Sequence, residues 1–151
     1  MSAYTTQAAV GGEIQQSDLI QLCDDVGTGS LDAGALAILN QVIINASGEI
    51  DAACANIYGQ QLPFNPVTSS VASMALTITC YRLYRRRLVP DEQNKYFDAY
   101  KRVRDFLDEV NTGDKHLDDI PTRDFPQGAM TGRPVIYSGG VFGTGVLSNT
   151  M

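Results

Sequence analysis

The sequence has no tryptophan, one histidine, three cysteines and no apolar run near the length of a bilayer. The missing tryptophan decides nothing, but the other shortages exclude whole classes of function. A membrane-spanning helix needs about 20 predominantly apolar residues, and residues 1–10 lack the basic stretch and apolar core of a secretory leader. The chain is therefore expected neither to be secreted by a visible signal nor to sit in a membrane. Cys23, Cys54 and Cys80 are odd in number, far apart and set among apolar residues. That pattern fits reduced core thiols better than a disulfide or a metal site. The lone histidine, His116, lies between Lys115 and Leu117 with no serine or cysteine placed by motif to act as its nucleophile. It is read as a surface residue, and the chain is expected not to be an enzyme and to need no cofactor. The glycines of Val141 to Val146 resemble a phosphate loop only superficially, since no Lys-Ser/Thr ending follows and no helix begins there.

What is present is ordinary globular material. A chain of 151 residues suits one domain with a single core. The net charge of −6 argues against nucleic acid as the main partner. That average hides an asymmetry, because eight of the eleven Lys and Arg residues fall between Arg82 and Arg104. Only Asp91, Glu92 and Asp98 oppose them there, giving +5 locally, while the rest of the chain sums to −11. A chain polarised in this way is suited to pairing with copies of itself or with a partner of complementary pattern.

Hydrophobic spacing predicts the elements. In the segment from Thr5 to Asp25, Gly11 and Gly12 are expected to interrupt a helix, and Ser17 to cap a short one through Leu22. Asp24 to Ser30 reads as a loop. Leu36, Leu39, Ile43, Ala46, Ile50, Ala53 and Ile57 recur every three or four residues, predicting one long helix from Asp32 to Gly59, with a bend or a close helix crossing at Gly48. Pro63 and Pro66 mark a connection, after which Thr68, Ser69 or Ser70 caps a central helix from Val71 to about Leu88. Pro90 is placed in the first turn of a further helix, buried through Phe97, Tyr100, Val103, Leu107 and Val110 and stopped by Gly113. Residues 114–151 hold three prolines and six glycines and read as an extended tail. Its apolar pieces, Val135-Ile136-Tyr137 and Val141-Phe142, suit a short strand or hairpin that docks on another surface.

Two clusters carry charge. Asp24, Asp25 and Asp32 could offer oxygens to calcium, but the alternate ligands and the final Glu of an EF-hand are missing, so a solvated turn with Asp32 as a helix cap is expected. In Cys80-Tyr81-Arg82-Leu83-Tyr84-Arg85-Arg86-Arg87, Arg82, Arg85 and Arg86 share one helical face. Three roles compete for these cations: complementing the helix dipole, contacting phosphates, or pairing with acidic surfaces of neighbouring subunits. The last is favoured, because arginine forks suit carboxylates.

The order of these features resembles a family, the Mu-like phage virion proteins catalogued as a domain of unknown function. The resemblance rests on Gly48-Glu49-Ile50-Asp51, on Tyr-Gly-Gln-Gln-Leu-Pro at Tyr58 to Pro63, and above all on Tyr81 to Arg87; it covers about Tyr4 to Asn111. It implies a head-completion or head-tail connector protein forming a ring beneath the portal, with a bundle of four or five helices and extended arms. Members often carry a more regular Asp-x-Asp-Gly loop than Asp24 to Ser30, so a calcium ion is not carried over.

The expected molecule is thus an all-α bundle of about four helices over residues 1–113 with a tail over 114–151. It is expected to act as a neck adaptor in a homo-oligomeric ring, made in the host cytoplasm and placed in the virion. The expected partners are its own copies, the portal, a downstream neck or tail-completion protein and, without sequence specificity, passing DNA. Arg82, Arg85, Arg86 and Arg87 are the expected interface cations, and Val135, Ile136, Tyr137, Val141 and Phe142 the expected docking residues. The alternative is a DNA-binding or packaging accessory protein that uses Arg82 to Arg87 on phosphates.

Overall fold

The computed structural model describes residues 2–121, and among these it holds five α-helices, two short 3₁₀ turns and no strand. The helices are α1 (Gln7–Glu13), α2 (Gln16–Cys23), α3 (Ala33–Tyr58), α4 (Ser69–Arg86) and α5 (Phe97–Thr112). The all-helical expectation holds, with one helix more than the four anticipated.

The extra element is α1. Gly11 and Gly12 lie inside it, although together they cost a helix about 2 kcal/mol relative to alanine. Thr6 Oγ1 accepts the Ala9 N–H at 3.1 Å, and Val10 and the following Ile14 are fully buried. Capping and tertiary burial outweigh the propensity of a short helix, which is never stable alone. Ser17 does not cap α2: the helix already begins at Gln16, directly after the extended Ile14 and Gln15.

The long helix α3 forms as expected. Asp32 caps it, its Oδ1 accepting the Ala35 N–H at 2.9 Å. The close crossing expected at Gly48 is absent, since the space that a methyl group would occupy there is open. Gly48→Ala should therefore stabilise the protein by up to about 1 kcal/mol, read as a raised urea midpoint with an unchanged slope. A lowered midpoint would mean that the glycine has a neighbour the fold does not show.

α4 lies against both α3 and α5, and α1 and α2 cover one end of this three-helix layer. The buried side chains form two clusters, where one core was expected. One gathers Ile50, Cys54, Tyr58, Val71, Ile78 and Leu107; the other gathers Val10, Ile14, Leu22, Leu39, Ile43 and Leu83. Twenty-six residues at 1.5 Å each make α3 about 39 Å long, more than a single small core spans, so burial divides along it. Tyr100 packs against both clusters.

Two boundaries differ from expectation. Pro90 opens a 3₁₀ turn at Asp91–Gln93, and α5 starts only at Phe97. Buried Asn94 stands between them, its Nδ2 donating to Tyr81 O at 3.2 Å and its Oδ1 accepting the Tyr96 N–H at 3.0 Å. An Asn side chain bonded to nearby backbone offers the chain an alternative to the helix. α5 does end at Gly113, in the left-handed conformation with φ 87°. Packing nevertheless continues beyond it, because Leu117 and Ile120 are buried in the first cluster and Asp119 lies against Ser69 and Ser70 at the start of α4.

Candidate functional site at the basic end of α4

The C-terminal turns of α4 carry Arg82, Arg85 and Arg86, with Arg87 just after them. Sequence spacing places the first three on one face, but their side chains leave in three directions, each to a carboxylate of this chain.

Arg82 turns to α3, where its Nε and Nη2 lie 3.1 and 2.5 Å from Glu49 Oε2. The other oxygen, Oε1, accepts from Tyr100 Oη at 3.1 Å and from Arg104 Nη1 at 3.2 Å. The Glu49 side chain is only 8% exposed, so a single carboxylate joins α3, α4 and α5 through charge-assisted bonds. The Tyr100 ring stacks on Tyr81 with centroids 3.9 Å apart and planes within 8°. Burial, reinforced by Glu49, raises the Tyr100 pKa and keeps its hydroxyl a donor.

Arg85 reaches the turn after α4, donating to Tyr81 Oη at 2.9 Å and to Asp91 Oδ1 at 3.3 Å. Arg86 and Arg87 reach the loop before α3. Arg86 pairs with Asp25 and donates to Leu22 O at 2.9 Å, while Arg87 lies 3.1 Å from Asp25 and donates to Asp24 O at 2.8 Å. The acidic loop and the basic helix end are thereby strapped together.

Within that loop, Asp24 closes a small nest. Its Oδ1 accepts the N–H groups of Val26 and Gly27 at 3.1 and 2.7 Å, and its Oδ2 accepts the Gly29 N–H at 2.6 Å. Gly27 and Gly29 have φ of 84° and 73°, values that glycine adopts without strain. Both oxygens thus face donors, and among the described residues no three His, Cys, Asp or Glu side chains are grouped to hold a metal. The Gly29 N–H, with the other backbone donors, lowers the Asp24 pKa to about 2, and the Arg86 hydrogen bond lowers that of Asp25.

Carboxylates depressed in the folded state add stability above their ordinary pKa, and lose it as pH falls through the folded value. The melting temperature should hold above about pH 5 and fall between about pH 4 and 2, with a shallower fall in Asp24→Asn. An identical acid limb in that variant would exclude the loop from the effect.

The thiols lie in the core. Cys23, Cys54 and Cys80 are unpaired and fully buried, and burial raises Cys54 to about 11 and Cys80 to about 12. His116 is exposed. Val135, Ile136, Tyr137, Val141 and Phe142 lie outside the described residues. The acidic half of the site was not foreseen: Glu49 stood in a motif with no role assigned, and Asp25 was weighed only as a calcium ligand. The one signal available was that every charged residue N-terminal to the arginines is a carboxylate.

No curated protein and no solved structure matches the chain. A family model does, that of bacteriophage Mu Gp36, over residues 4–131 and hence over every described helix. With its helical body and the Tyr81 to Arg87 signature inside that span, the chain belongs to the bacteriophage Mu Gp36 family.

Proposed function

We propose that this phage protein is a structural component of the virion, a head-tail connector whose copies form a ring between the portal and the tail-side proteins. The observation that carries this reading is charge segregation along the folded chain. No Lys or Arg occurs before Arg82, so the only charges on α1, α2 and α3 are acidic, while α4 carries only cations and α5 mixes both signs. A contact repeated around an axis requires each subunit to offer two different and complementary surfaces. The internal straps around Glu49 and Asp25 contribute a rigid body on which such surfaces keep their shape.

The test is to mix purified protein with its portal and follow mass by native mass spectrometry at low and moderate salt. A higher-order ring, alone or on the portal, supports the connector reading. Protein that stays monomeric in every mixture sinks it. The DNA-binding alternative has less support, because the chain has a net charge of −6 and no second basic segment to complete a phosphate groove. Salt-sensitive binding to random duplex DNA, lost in an Arg85→Ser, Arg86→Ser, Arg87→Ser variant, would revive it.

A further inference from the structure

The connection between α2 and α3 is anchored firmly at its two ends and lightly between them. Cys23, the last residue of α2, is fully buried, and Asp32 caps α3. Every residue from Asp25 to Ser30 is exposed. The loop nevertheless has a shape of its own, because Asp24 gathers the N–H groups of Val26, Gly27 and Gly29 and fixes the turn from within.

Among the described residues, the hydrogen bonds and ion pairs that tie residues 25–30 to elements beyond the loop are those of Asp25 with Arg86 and Arg87. The same two arginines donate to Leu22 O at 2.9 Å and Asp24 O at 2.8 Å, satisfying carbonyls that the end of α2 leaves open. Water reaches these contacts, since the Arg86, Arg87 and Asp25 side chains are 29%, 36% and 43% exposed. Ion pairs of that kind are screened by salt and hold weakly. A preformed loop held to a folded body by weak ionic bonds opens as a unit more often than the body unfolds. Cys23 lies beneath it. Burial raises its thiol pKa, and Arg86, Arg87 and Asp25 are near enough for their charges to act on it.

We propose that residues 24–30 form an ionic latch on the basic end of α4, closed by Asp25 in the resting chain and able to open while the rest of the body stays folded. Closure withholds Arg86 and Arg87 from other molecules; opening leaves them without their carboxylate and uncovers the end of α2. The latch is a property of the single chain and does not depend on the connector reading.

The three cysteines provide the test. Full-length protein is labelled with a maleimide, and each thiol is followed by peptide mass spectrometry at low salt and in 1 M sodium chloride, where the screening length is about 3 Å. Cys54 and Cys80, fully buried in α3 and α4, report opening of the body itself. The quantity compared is the Cys23 rate divided by the Cys80 rate, because a variant that is merely less stable moves all three thiols together. That ratio should exceed one in wild type, rise about fivefold in Asp25→Asn, and rise further in the double variant Arg86→Gln, Arg87→Gln. Salt should raise it in wild type and leave it unchanged in the double variant. A ratio that stays fixed across the variants and salt would overturn the latch, since Cys23 would then open only with the whole body. A salt response that persists in the double variant would also overturn it, by assigning the screening to charges other than Arg86 and Arg87.

Discussion

Tyr58→Ala is expected to lower folding stability by about 3–5 kcal/mol, a large part of the total that a domain of this size holds. Tyr58 is 1% exposed, its ring meets Phe64 edge-on at 5.9 Å, and its hydroxyl accepts the Leu117 N–H at 2.8 Å. Truncation would leave a cavity in the first cluster and would also release the segment carrying Leu117 and Ile120. Tyr58→Phe separates the two effects. It keeps the ring but leaves a buried N–H without its acceptor, at a cost of about 1–3 kcal/mol. Urea unfolding of both variants checks the ranking. Equal losses would show that the hydrogen bond, not the packing, holds the segment after Gly113.

The second large effect is expected at Glu49. In Glu49→Gln the side-chain shape persists, but Arg82 loses its counter-charge, Arg104 keeps only Asp108 at 3.7 Å, and an amide N–H₂ group meets donors. Full burial would put the loss near 3–5 kcal/mol. The Arg82 and Arg104 side chains are 39% and 43% exposed, so water takes up part of the unpaired charge and about 2–3 kcal/mol is expected. The double variant Glu49→Leu, Arg82→Met should recover part of this loss, because removing both partners leaves fewer orphaned charges than removing one. Strict additivity in that cycle would mean that the three-helix clamp is geometry without coupling.

Much of the fold could be read from residues near one another in the chain. The three-and-four spacing from Leu39 to Ile57 defines α3, Asp32 caps it, and Gly113 closes α5. The cysteines, set among apolar neighbours, are buried. Reading failed where a distant contact overrode a local rule. The burial of Val10 keeps two glycines helical, and the bond from Asn94 to Tyr81 O delays α5 by seven residues after Pro90. The arginines were the informative residues, but their partners were not legible. Glu49 lies 33 positions from Arg82, and Asp25 lies 61 from Arg86.

The all-helical class, the lengths of α3 and α4 and the concentration of cations at one helix end were legible in the order of residues, and the family match over residues 4–131 rests on that same order. Periodicity, capping and local charge are interactions over a few residues, so they are written in the order of the chain. That Glu49 gathers Arg82, Tyr100 and Arg104, and that the acidic loop is strapped to α4, followed from tertiary packing alone. Those pairings depend on how 26 residues of rigid α3 set the distances between surfaces. An amphipathic pattern specifies which face is buried, but not which distant charge lies opposite.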